Sequence, residues 1–502
     1  MHGTARSEGH EQAEEHGQPV GDCPADELGQ SVAGDLVVAD GQSVVGGRSV
    51  VDGWTVDGQA EGRGQAGGLG RAEGGGPGVA LGRRGVARGA VRAGERALAP
   101  DLARGLMLLL IVLSNTAFYL YAARHGASGW HPVEGSPVDR AVQFLMIVTL
   151  DLRVYPLFAF LFGYGMMQLY LRQRAAGTGE RAAVSILRRR SLWLIVFGLL
   201  HATLLMAGDI LGAYGVAGLV LGWLFIRRAD RTLLVWGLVF GALTLLLAGP
   251  ALWAAATGDI GAYGSTDTPP STEAYASGED NPFIAARTRL ETGLFVTVAG
   301  GLVSVILPQF LLGFWAARRR ILEEPGRHLR LLRWTAVMGI TIGWLGALPA
   351  ALAHVGAVDV PGAAVSETGV LSQLREVTGI PCGIGYVACF GLIAHRMSAR
   401  TRQSRPVVAV AAVGKRSLST YLGHSLLFSP ILAAWGLGLG AHMSSATMAL
   451  FAVGVWLVTV AAAYALERAG RRGPAEVVLR RLMYGRREIV NGTAATERQA
   501  PT

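Results

Sequence analysis

Residues 188–231 read RRRSLWLIVFGLLHATLLMAGDILGAYGVAGLVLGWLFIRRADR, and the fold follows from how charge frames that stretch. Two apolar runs, 190–207 and 210–226, are joined by a tight Gly208-Asp209 turn. Arg188, Arg189 and Arg190 stand at the start of the first run, and Arg227, Arg228 and Arg231 follow the second. A turn that tight sends the chain back to the side it came from, so both Arg clusters lie on one side of whatever the runs cross. Apolar runs of nearly bilayer length with basic ends on a shared side make a transmembrane helical hairpin.

The same pattern extends in both directions. Apolar spans at 103–123, 141–171, 190–207, 210–226, 232–256, 292–317, 332–354, 376–395, 407–437 and 445–467 predict an all-α, polytopic bundle of about ten transmembrane helices. Lys415 and Arg416 interrupt the ninth span, which moves its expected start toward 417. Loops rich in Arg occur at 172–190, 227–231, 318–333 and 396–405, and again from Arg468 to Arg487. The alternate loops are poor in basic residues: 257–291 is acidic, and 438–444 has no Lys or Arg. Positive charge marks the cytoplasmic side, so both termini are expected in the cytoplasm and the protein in the cell (inner) membrane as a multi-pass chain. Charged residues make up 16% of the chain, against about a quarter in soluble proteins. The net charge of +9 does not indicate nucleic acid, because the Arg residues sit at the ends of apolar spans.

Residues 96–485 form the expected transmembrane domain. Residues 1–95 are Gly-rich, with a loose V-x-D-G theme in VVADGQSVVGGRSVVDGWTVDGQ, and read as a disordered tail. An equal alternative is a translation start near Val86 or Val91. No secretory signal is visible in MHGTARSEGHEQAEEHG, and 486–502 reads as a polar tail. Cys23, Cys382 and Cys389 form neither a disulfide framework nor a zinc site, and no metal site is expected.

Ionisable residues inside apolar spans are costly and so are candidates for function. Asp151 and Arg153 lie in LDLRVYPLFAFLFGYG, near the middle of the second span. His201 is in the third span, Asp209 in the hairpin turn, and Tyr214 one turn beyond it. Tyr421 and His424 lie in GKRSLSTYLGHSLLF, Arg104 where the first span enters from the cytoplasm, Asn115 in that span's outer half, and His125 and His131 in the loop after it. One cavity open to the outside is the expectation for these side chains, apart from Arg104 and Tyr421. Each has a plainer reading as well. Asp209 is a helix N-cap, the histidines are core or loop residues, and Gly163 and Gly165 permit close helix packing rather than phosphate binding.

Five stretches together resemble one family: DLARGLMLLLIVLSN (101–115), YPLFAFLFGYG (155–165), GLLHATLLMAGDILGAYGVAGL (198–219), AVGKRSLSTYLGHSL (412–426) and GPAEVVLRRLMYG (473–485). They resemble the YeiB-type family of uncharacterised bacterial membrane proteins over about 101–485, and more distantly membrane acyltransferases such as the heparan-alpha-glucosaminide N-acetyltransferase group. In that group an R-G entry to the first helix and an Asn near its end lead to a catalytic His in the next outer loop. The matching positions are Arg104-Gly105, Asn115, and His125 or His131. The resemblance implies an acyl-CoA donor at the Arg-rich face, a histidine base, and Asn115 or Arg153 on the oxyanion. Arg104, Asp151, His201, Asp209, Tyr214, Tyr421 and His424 would line the substrate path. The acceptor would be an extracytoplasmic glycan, lipid or metabolite. A transporter or exporter, or a non-catalytic membrane subunit, remains the alternative.

Overall fold

A computed structural model describes residues 98–126, 130–261, 263–264, 272–302 and 306–484. The tails at 1–95 and 486–502 lie outside the described residues. The described chain is helical, with a single isolated β-bridge between His125 and Pro132. In order the helices are α1 (Leu98–Ser114), α2 (Pro137–Thr149), α3 (Val154–Ala175), α4 (Glu180–Leu204), α5 (Ile210–Phe225), α6 (Asp230–Leu247), α7 (Gly249–Thr257), α8 (Pro282–Leu302), α9 (Leu307–Arg318), α10 (Leu329–His354), α11 (Gly362–Val365), α12 (Val370–Arg396), α13 (Ala399–Arg402), α14 (Arg405–Lys415), α15 (Ser417–Leu432) and α16 (Ser445–Arg468). Residues 474–484 form a further helix.

A helical, polytopic membrane bundle is the architecture. Six spans among the described residues are each long and apolar enough to cross a bilayer: those built on α1, α3, α6, α10, α12 and α16. A seventh arises if α8 and α9 act as one broken span. The 190–226 hairpin differs from the expectation at its start, and α5 ends within one residue of the expected 226. α4 begins at Glu180 and takes Arg188, Arg189 and Arg190 into the helix, while α5 has 16 residues and reaches roughly 24 Å.

Several long apolar runs are broken helices. The 141–171 run divides at 150–153, where Leu152 takes φ 61° and Pro156 lies in the first turn of α3. A break inside a membrane bundle frees backbone carbonyls that need partners. Here side chains supply them. The Tyr386 hydroxyl donates to the Thr149 carbonyl at 2.7 Å, and Arg153 donates to the carbonyls of Asp151 and, at 2.8 Å, Gly343. The 407–437 run breaks at Arg416, between α14 and α15. There Glu467 accepts from Lys415 at 2.5 Å and Arg416 at 2.7 Å.

Small residues let the helices close on one another. A methyl group at Gly163 would stand 2.4 Å from the Phe310 carbonyl oxygen, and one at Gly313 would stand 2.3 Å from that of Phe160. The α3–α9 seam is thus backbone against backbone, with Tyr164, Phe310 and Phe314 buried beside it. Gly165 does something else: it leaves room for the Arg104 guanidinium, whose Nη2 would be 2.8 Å from a methyl there.

Candidate functional site

The break between α2 and α3 builds the first polar cluster. It turns Asp151 inward, where the carboxylate is 1% exposed. His131, from the loop after α1, is buried against it with Nε2 2.9 Å from Asp151 Oδ2. Arg375, from the second turn of α12, approaches the same oxygen at 3.9 Å. Arg153 is fully buried beside them, and its Nε has no hydrogen-bond partner. The His354 ring, at the end of α10, crosses that of His131 edge-on at 5.9 Å. A cavity of about 330 Å³ opens next to this cluster, with His354, Asp359, Ser372 and Arg375 as its polar lining. It lies at the end of the bundle away from the Arg-rich loops, where α10 ends and α12 begins.

The second cluster lies at the hairpin. Asp209 caps α5, accepting from the Gly212 N–H at 2.9 Å. Its other oxygen meets His201 Nδ1 at 2.9 Å and accepts from the Tyr421 hydroxyl at 3.1 Å. The His201 ring packs on Tyr421, with centroids 5.1 Å apart, and His201 Nε2 is buried without a partner.

Tyr421 also reaches a larger cavity of about 680 Å³ on the Arg-rich side. Arg104, Arg172, Arg190, Arg320 and Lys415 line it with Asp101, Glu323 and Gln168, and Met107, Phe158, Phe162 and Leu169 supply apolar wall. Arg190 lies over the Phe162 ring at 4.5 Å, and its Nη1 is buried without a hydrogen-bond partner. The late GPAE stretch closes this end. Glu476 accepts from the N–H groups of Leu418 and Ser419 at 2.8 and 3.1 Å, capping α15, and Leu479 joins the cavity wall.

Hydrogen bonds therefore gather the expected residues into two groups, His131 with Asp151 and Arg153, and His201 with Asp209 and Tyr421. Tyr214 lies between them, donating to the Tyr155 carbonyl at 2.7 Å. His424 is elsewhere on α15, paired with Thr459 at 3.1 Å. Asn115 is half-buried at the end of α1 and makes no side-chain cap. His125 is half-buried in its loop, and burial pushes its imidazole below the usual range, which favours the neutral form. Arg104 belongs to the large cavity, with Asp101 at 3.4 Å.

Sequence reasoning missed Arg375 and His354. Arg375 falls one residue before the 376–395 span, and His354 is the last residue of 332–354. A search confined to charges well inside spans passes over both. A window one helical turn wider would have found them.

A family model described as "Protein of unknown function (DUF418)" matches residues 316–486. The uncharacterised protein YxaH of Bacillus subtilis is 27% identical over 410 residues, covering 78% of this chain and 94% of its own length. The uncharacterised protein YeiB of Escherichia coli is 26% identical over 404 residues, covering 77% of this chain and 96% of its own. These matches bear out the resemblance to the YeiB-type family, whose function is unknown.

Proposed function

We propose that this integral membrane protein transfers an acyl group from a thioester donor to an acceptor at the opposite membrane face, with His131 as the general base. The observation that carries the reading is the buried His131–Asp151 pair beside a cavity whose polar lining is His354, Asp359, Ser372 and Arg375. If Nε2–H donates to Asp151, Nδ1 keeps the lone pair that can take a proton. The acceptor's hydroxyl or amine attacks the thioester carbonyl and gives its proton to His131. The C–S bond breaks, and the thiolate leaves and is protonated. Arg153, with an unpartnered Nε, is the group that offers a charge-assisted hydrogen bond to the developing oxyanion.

The donor is an acyl-CoA, its phosphates against Arg104, Arg190, Arg320 and Lys415 in the 680 Å³ cavity. The positive-inside rule puts that cavity on the cytoplasmic side, where such donors occur. A transporter is the rival reading, supported by charged cavities at both ends of one bundle.

Purified protein and radiolabelled acetyl- or long-chain acyl-CoA test this. Saturable binding is expected, with label passing to an amine or hydroxyl acceptor. His131→Ala should keep the binding and lose the transfer. Wild-type protein that binds no acyl-CoA would overturn the reading. Binding followed by undiminished transfer in His131→Ala would remove His131 as the base.

A further inference from the structure

The 330 Å³ cavity holds an unusual group. Arg375 is 3% exposed, yet among the described residues its guanidinium makes no hydrogen bond, and its single ion-pair approach is the 3.9 Å contact to Asp151. Its Nε is buried and unpartnered, as is Nε2 of His354 across the same cavity. A guanidinium buried without protein hydrogen bonds is strongly unfavourable, so its donors call for a partner that enters the cavity, a water or a ligand. Asp151 does not fill that role, because 3.9 Å is beyond hydrogen-bond reach.

We infer that the cavity is a seat for the carboxylate of a small polar ligand, held by Arg375 with His354 as second contact. A carboxylate matches the planar fork of a guanidinium and can accept two parallel hydrogen bonds from it. The surrounding charge favours a monoanion over a phosphate dianion. Asp359 lines the exposed mouth, so a second negative charge on the ligand would meet it. The inference names the acceptor class for the site proposed above. It rests on that reading for the acceptor's fate and not for its binding.

Thermal unfolding of the detergent-purified full-length protein tests it, with D-glucuronate, L-lactate and L-alanine as probes, and with glucose and inorganic phosphate as controls. At least one carboxylate should raise the midpoint saturably, while glucose does not and phosphate does so less. Arg375→Gln should abolish the shift, Arg375→Lys should weaken it at least tenfold in apparent affinity, and His131→Ala should retain it. If no carboxylate shifts the wild-type midpoint, or if phosphate shifts it more than every carboxylate, the seat is wrong; this arm does not depend on a variant folding. Carboxylate binding without any acyl transfer would leave the seat standing and remove the transferase. Acyl transfer to neutral acceptors, undiminished in Arg375→Gln, would do the reverse.

Discussion

The protein holds two buried histidine–aspartate pairs of the same length, 2.9 Å each, and they differ in what stands behind the carboxylate. At the hairpin, Asp209 is fully used. It caps α5 through Gly212, receives Tyr421 and meets His201. At the α2–α3 break, Asp151 faces His131 and two arginines, one of which has no hydrogen bond of its own. The same pair chemistry is a fastening in one place and an unfinished site in the other. Geometry of the pair alone does not separate a structural His–Asp contact from a working one. The hydrogen-bond state of its neighbours does.

Asp151→Ala gives the sharpest test. It removes the carboxylate that offsets Arg153 and Arg375, which are 0% and 3% exposed. Breaking one side of a buried ion cluster costs about 3–5 kcal/mol, so the variant should accumulate poorly or unfold far earlier in detergent. A melting midpoint equal to wild type would mean that Asp151 is not what holds the two arginines in place.

A third buried carboxylate, Asp139, has no histidine and serves as a control for the two pairs. Burial works to raise its pKa, but hydrogen bonds from Ser444, the Ala446 N–H and Ser136 overcome this and hold it at about 2, against an ordinary 3.8. A depressed folded value adds stability that is complete above the unfolded pKa of about 4 and lost as pH falls through about 2, roughly 2 kcal/mol in all. Wild type should lose this between about pH 5 and pH 2, and Asp139→Asn should show a correspondingly flatter acid limb. Parallel acid limbs in the two proteins would count against the capping role.

The two pairs also differed in how far the sequence exposed them. Asp209 was legible as a cap because capping is local: Asp stands just before an apolar helix. The α2–α3 break was not legible, because hydropathy runs unbroken through 141–171 and does not register a backbone turning at Leu152. What stabilises the break comes from far along the chain, in Tyr386, the Gly343 carbonyl and Arg375. Packing glycines fell between these cases. Gly163 was readable as a close-contact residue, but its partner, the Phe310 backbone, was not. The Arg-rich ends and the helical, multi-pass class were legible because composition and period carry them. The ten-span count was less so, since α6 and α7, α8 and α9, and α14 and α15 each divide one apolar run.

Asp209→Ala should cost less than Asp151→Ala. It loses the α5 cap, typically about 1 kcal/mol, and leaves Tyr421 and His201 to find other partners. The expected total is about 1–3 kcal/mol, with membrane insertion retained. Destabilisation larger than that of Asp151→Ala would reverse the comparison and make the hairpin, not the break, the more costly site.

The smallest effect on stability is expected from the histidines, and it separates the pairs most cleanly. Neither His131 nor His201 carries a charge that an arginine needs, so replacing either with Gln should cost about 1 kcal/mol or less beyond lost packing. Gln keeps an amide N–H that can donate to the aspartate. It cannot accept a proton as a base. His201→Gln should therefore leave acyl transfer near wild type, because its role is the fastening at Asp209. His131→Gln should reduce transfer by about 100-fold or more, the usual contribution of a general base, with an unchanged melting midpoint. The two substitutions are chemically identical and act on pairs of identical length. Equal losses of activity from both would therefore show that the hairpin pair is part of the reaction and that the division drawn between fastening and site is wrong.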